Sequence, residues 1–176
     1  MLLVPLSMTK GRCRFEQGER NPDCGSLDCL VPDTERYDAP YSSECGTMMA
    51  GRIAVSCPEA RKGGRCRINY DLVALHIVLG EKGEHRFAVP FTIRLKGYGC
   101  DAALDLNTWS GMRGLRYHDV QLEMYATPEK NDLGSFFAPR FRGFRALDIG
   151  RYDSFAERFV GYDLANAMSE DDDGAF

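Results

Sequence analysis

The stretch from Tyr70 to Leu95 leaves this chain little freedom. Tyr70, Leu72, Ala74, His76 and Val78 fall on one face of an extended strand, and Asp71, Val73, Leu75, Ile77 and Leu79 on the other. Aliphatic and β-branched residues on both faces predict a strand buried on both sides. Gly80-Glu81-Lys82-Gly83 then predicts a hairpin turn with glycines at positive φ, and His85–Leu95 the return strand. Pro90 has no N–H to give to a ladder, so that return strand is an edge or is bulged.

Other elements line up around this hairpin. Met1 to Leu6 reads as a short strand; without a basic n-region, and with Pro5 interrupting it, it does not read as a signal peptide. Arg52 to Ser56 is a second short strand. A helix is expected from about Cys100 to Met112, with Ala103, Leu104, Leu106 and Trp109 as its apolar stripe and Gly111 and Gly114 ending it. Strands over Tyr117 to Ala126 and Phe136 to Phe144 follow, joined by a polar turn around Pro128 to Gly134. A last helix, Asp153 to Met168, carries Phe155, Phe159 and Tyr162 on one side.

The expected organisation is an irregular Cys- and Pro-rich arm over 1–50, a β-rich body over 51–150, a helix over 151–168 and an acidic tail over 169–176. The class is mainly β with α (α+β). The order strand, strand, strand, helix, strand, strand matches the oligonucleotide-binding (OB) barrel, five strands with a helix between the third and fourth. Other small β-barrels share parts of that order. No run of about 18 apolar residues exists, so no membrane span is expected, and the reading is of a cytoplasmic protein.

Seven cysteines are many for 176 residues, and an odd number leaves one thiol outside any full disulfide scheme. With no secretion signal, metal ligation outranks disulfides. Cys57 and Cys66 bracket a Gly-rich loop between two strands, and thiolates so placed can share a structural Zn²⁺. Cys24 and Cys29 are the expected second pair, with Cys45 or Cys13 as substitutes. Free buried thiols and disulfides stay open as alternatives, and Cys100 reads as a core residue.

Basic and aromatic residues interleave in two places. Arg61, Lys62, Arg65 and Arg67 make the cysteine loop positive, and residues 136–145 alternate rings with guanidinium groups. Cations that track phosphates beside rings that stack on bases are how single strands of nucleic acid are held. The expected contact set is Arg61, Lys62, Arg65, Arg67, Arg140 and Arg142, with stacking from Tyr70, Phe87, Tyr125 and Phe137. The opposing expectation is that the rings fill the core and the arginines are merely solvated. Nothing marks a catalyst: His76, His85 and His118 lie on separate segments, and there is no HExxH, P-loop or GxSxG.

Five carboxylates and no basic residue lie between Asp163 and Phe176, and removing those five charges from the net −4 leaves the rest of the chain at +1. The end, Ser169-Glu170-Asp171-Asp172-Asp173-Gly174-Ala175-Phe176, resembles the tip of bacterial and phage single-stranded-DNA-binding proteins. Gly174-Ala175 stands where bacterial members carry a Pro-containing spacer. The cysteine loop ahead of a barrel-like strand set is loosely similar to phage proteins as well. The resemblance implies a non-enzymatic protein of replication or recombination. In it, Asp171, Asp172, Asp173 and Phe176 dock on partner proteins and compete with DNA for the groove. A homo-oligomer is compatible with this reading. The alternative is a structural or interaction protein, a virion component or inhibitor of a host enzyme, with a cysteine-stapled arm. A zinc nuclease would need His and carboxylate ligands on an open metal site.

Overall fold

In the computed structural model the described residues are 1–14, 22–35, 37, 42–82, 84–132 and 134–158. Eight strands form: β1 (Leu2–Arg14), β2 (Cys24–Ser26), β3 (Gly46–Met49), β4 (Arg52–Val55), β5 (Cys66–Leu79), β6 (His85–Lys96), β7 (Val120–Asn131) and β8 (Gly134–Ala146). Two helices join them, α1 (Cys100–Arg113) between β6 and β7, and α2 (Asp153–Arg158) after β8. The main sheet has the order β6-β5-β1-β7-β8 with β2 paired to β1, and β3-β4 is a separate hairpin. The fold is therefore mostly antiparallel sheet with a few helices, and no strand pair closes a barrel among the described residues.

The chain divides into two compact units. One comprises Met1–Met8, Asp71–Ile93 and Asp101–Phe176; the other comprises Thr9–Tyr70 and Arg94–Cys100.

In the first unit, β5 is the buried strand its composition predicts, with Leu72, Val73, Ala74, Leu75 and Ile77 each at most 4% exposed. Val4, Leu6, Val73, Leu75, Ile77, Tyr152 and Ala156 pack as one cluster. Each such large aliphatic contributes about 1.5–3 kcal/mol by leaving water. β6 ends the sheet path, as Pro90 requires of it. At the β5–β6 turn Gly80 does not adopt positive φ. A Cβ there would lie 2.1 Å from the Glu84 carboxylate, the end of a flexible side chain that can move aside.

Three expectations change. β1 runs thirteen residues, because its polar half, 9–14, pairs with β2 through Arg12↔Ser26, Cys13↔Gly25 and Arg14↔Cys24. The β7–β8 ladder continues through Pro128↔Phe137 to Asn131↔Gly134, so the turn is far tighter than the expected 128–134. On α1 the buried stripe is Ala102, Ala103, Leu106 and Ser110, while Leu104 is 49% exposed on the opposite side. Trp109 is half-buried, stacked on Phe144 at 5.5 Å with the Arg113 guanidinium 4.3 Å above it. The expected final helix is described only over Asp153–Arg158.

β8 also carries a bulge. Gln121 pairs with Arg145 and Glu123 with Arg142, leaving Gly143 and Phe144 opposite Leu122, and Gly143 sits at φ +63°. Period-two alternation stops there. Phe144 consequently reaches Trp109 instead of lying beside Arg142.

Candidate nucleic-acid interface

In the second unit, the loop from Cys57 to Cys66 is wound tightly. A short 3₁₀ turn, Pro58–Ala60, begins it, Gly63 sits at φ +90°, and a Cβ on Gly64 would meet the Glu59 carbonyl oxygen at 2.2 Å. Arg61, Lys62, Arg65 and Arg67 are all exposed on it. Their bonding partners matter more than their number. Arg61 donates to the Ser56 carbonyl at 3.3 Å, and Arg67 to the carbonyls of Gly64 and, at 3.2 Å, of Cys66. A carbonyl fixes a guanidinium without cancelling its charge. Among the described residues, only Arg65 of these four meets a carboxylate, that of Glu59, at 3.3 Å.

On the β7–β8 ribbon of the first unit the arginines are bound differently. Arg142 makes a bidentate pair with Glu123, directly opposite, at 2.8 and 3.1 Å. Its guanidinium lies 4.7 Å from the Tyr125 ring centroid. Arg140 is mostly buried between Glu129 at 3.0 Å and Asp101 at 3.2 Å. Both cations are therefore neutralised where they stand. The Arg142 guanidinium holds the Glu123 carboxyl below its ordinary range.

The expected stacking rings separate too. Tyr70 is 7% exposed and offers no face to a base, so it leaves the contact set. Phe87 on β6 and Phe137 on β8 are 58% and 74% exposed, and Tyr125 is partly exposed beneath Arg142. Phe137 shares its strand face with the buried Phe141, but it lies where the ribbon has run past the core. Asp171, Asp172, Asp173 and Phe176 lie outside the described residues, as does the side chain of His85.

Charge follows the same division. The second unit contains twelve Lys and Arg against nine Asp and Glu, net +3; the first contains ten against seventeen, net −7, and together they give −4.

None of the seven cysteines is in a disulfide. Cys13 donates to Asn69 Oδ1 at 3.3 Å, and Cys100 is within reach of the Ile68 and Leu95 carbonyls at 3.5 Å each. Cys29, in left-handed backbone at φ 66°, donates to the Lys10 carbonyl at 3.5 Å. Burial pushes the Cys29 and Cys45 thiols above their ordinary range and Cys66 up to about 12.

Among the described residues, His118, Asp119 and Asp153 are the group of potential metal ligands whose atoms lie within 4.8 Å of one another. Arg116 already fills it, bonded to Asp119 at 2.8 and 3.0 Å and to Asp153 at 2.9 Å. A metal would have to displace that guanidinium, so the group is an ion-pair network. Arg116 and His118 also line an open cavity of about 520 Å³ in the first unit, with Asn107 and Ser110. Ser110 Oγ lacks the hydrogen bond to His118 that activation of a nucleophile requires.

No family model matches the chain, and neither a curated protein nor a solved structure is found similar to it.

Proposed function

We propose that this chain binds single-stranded DNA without making or breaking a bond, and that the loop from Cys57 to Cys66, with Arg67 beyond it, supplies the phosphate contacts. The observation that carries the reading is the carbonyl-bound state of Arg61 and Arg67, exposed beside Lys62 in the more basic unit. Such cations are held in place, yet their charge remains available to phosphates. Exposed Phe87, Tyr125 and Phe137 are the rings suited to stacking, each such contact being worth about 1–3 kcal/mol.

Topology supports the same reading. Counting only the long strands, β1, β5, β6, β7 and β8, the order is 3-2-1-4-5, and α1 falls between the third and the fourth. That is the order of an OB barrel opened between its third and fifth strands. In this proposal the acidic end, Asp171 to Asp173 with Phe176, engages replication or recombination proteins and competes with DNA for the basic loop.

The alternative, an interaction protein, is favoured by the acidic first unit and by the exposed apolar edge of β6 at Phe87 and Val89. Binding of a fluorescent oligo-dT over a salt series, to the full chain and to a chain ending at Met168, separates the two. The DNA reading expects salt-sensitive binding that tightens when the tail is removed. No binding by either form at low salt would overturn it and leave the interaction protein standing.

A further inference from the structure

Four cysteines of the second unit come from four separate places in the sequence, and backbone hydrogen bonds tie the segments that carry them to one another. Cys24 opens β2 opposite Arg14, Cys45 precedes β3, Cys57 follows β4 and Cys66 opens β5. The backbone builds this arrangement. Asp28 Oδ1 accepts the Leu30 and Val31 amides at 2.7 and 3.2 Å and fixes a turn. The Leu30 carbonyl so presented accepts the amides of Cys45 at 2.8 Å and of Gly46 at 3.1 Å. Across the base of the β3–β4 hairpin, the Cys45 carbonyl accepts the amides of Ser56 and Cys57 at 3.1 and 3.3 Å. Gly46 cannot be larger, because a Cβ would meet the Cys29 carbonyl at 2.9 Å. Gly64, whose amide donates to the Arg61 carbonyl at 3.0 Å and whose Cβ would collide with the Glu59 backbone, tightens the loop between Cys57 and Cys66.

The thiols lie near enough to feel one another's charge. Cys45 responds to Cys24, Cys57 and Cys29, and Cys66 responds to Cys45, Cys57 and Cys24. Cys29 is also near Cys45, but its thiol is engaged elsewhere: it donates to the Lys10 carbonyl at 3.5 Å and lies beside Arg12, Lys10 and Asp28. One neighbouring group suits a thiolate centre. Arg12, anchored on the Ala60 carbonyl at 3.2 Å, brings its positive charge to bear on Cys66, whereas the Ser26 hydroxyl donates to Asp28 Oδ1 at 2.9 Å. Arg12 Nε is buried with no hydrogen-bond partner among the described residues, a donor that awaits an acceptor.

We propose that Cys24, Cys45, Cys57 and Cys66 bind one structural Zn²⁺, with Arg12 as an outer-sphere donor and Cys29 outside the set. This exchanges Cys29 of the sequence expectation for Cys45. Four thiolates from short loops around a buried point are the donor set of closed structural zinc sites, and alkaline-earth ions prefer oxygen. No three of these sulfurs now stand within 4.8 Å of one another. Binding draws them inward and releases the thiol protons to solvent, and the resulting negative centre is offset by Arg12. Nothing in this assignment depends on DNA binding.

The test is the zinc content of the full-length protein purified without chelator, for the natural sequence and for Cys45→Ser and Cys29→Ser. The expected result is one zinc per chain in the natural sequence and in Cys29→Ser, and less than a fifth of that in Cys45→Ser. Should Cys45→Ser fail to fold, alkylation mapping of the natural sequence replaces it. Cys24, Cys45, Cys57 and Cys66 must become reactive on adding chelator, while Cys13, Cys29 and Cys100 keep the reactivity they had. Zinc-free natural protein that also fails to take up added Zn²⁺ or Co²⁺ overturns the proposal. So does loss of zinc from Cys29→Ser with retention in Cys45→Ser, and so does chelator-independent reactivity of the four.

Discussion

The cysteine loop and the β7–β8 ribbon both carry clustered arginines in sequence, and opposite chemistry in structure. In the loop, Arg61 and Arg67 hold on to carbonyls and keep their charge. On the ribbon, Arg140 and Arg142 hold on to Glu129, Asp101 and Glu123 and lose theirs. Counting arginines therefore overstates how much of this surface attracts an anion. The acceptor each guanidinium has found decides its role: those on carbonyls are available to ligands, and those on carboxylates serve the fold.

The strongest attack on this contrast is to remove the loop cations. Replacing Arg61, Lys62 and Arg67 together with Ala should weaken oligo-dT binding at least thirtyfold at low salt and lower the salt slope by about 2. Arg140→Ala with Arg142→Ala should change affinity less than threefold in the same titration. Equal losses from the two sets would erase the distinction.

A second experiment asks whether carboxylate-bound arginines hold the fold together. Asp119 is 2% exposed and accepts two bonds from the Arg116 guanidinium, one from the Arg116 amide at 3.3 Å and one from the Gly150 amide at 3.4 Å. Asp119→Asn should cost about 1–3 kcal/mol in urea unfolding. The Arg116 bonds hold the Asp119 carboxyl below its ordinary value, outweighing its burial. Its stabilisation is thus complete above the unfolded carboxyl pKa and disappears as pH falls through the lower folded one. Unfolding midpoints between pH 2 and 6 should accordingly fall less steeply on acidification in Asp119→Asn than in the natural sequence.

Smaller effects sharpen the same point. Glu123→Gln would free Arg142, which stands over Tyr125, and should raise oligo-dT affinity two- to fivefold if the ribbon lies along the DNA. Unchanged affinity would confine the interface to the loop. Gly143→Ala, at φ +63° in the bulge, should cost about 1 kcal/mol in unfolding with no change in binding.

What could be read from sequence was what is local. The Tyr70–Leu95 hairpin, the edge position of Pro90 and the extent of α1 follow from patterns within a few residues, and these match the structure. The second half of β1 does not announce itself, because Lys10 and Gly11 are poor strand formers and the strand is carried on by the pairing of Arg12, Cys13 and Arg14 with β2. Cys24 and Cys29 look like a ligand pair by spacing. The left-handed turn at Cys29 sends that thiol to Lys10, while Cys45, sixteen residues on, is brought in by the Leu30 carbonyl. Pairing of Arg142 with Glu123 is likewise invisible until the strand register is known. Tyr70 was an error of the same origin: its ring type suggests stacking, and only its neighbours show that it is covered.

Gly64 has one more implication, for how this loop can be altered. Its missing side chain makes room for the Glu59 carbonyl, whereas at Gly63 nothing lies within 4 Å and only the backbone angle is demanding. Lys62, beside them, is exposed. The loop thus separates a sterically constrained hinge from a permissive crest. A library randomised at 61 and 62 should yield mostly folded proteins spanning a range of surface charge, while one randomised at 64 should return glycine almost alone.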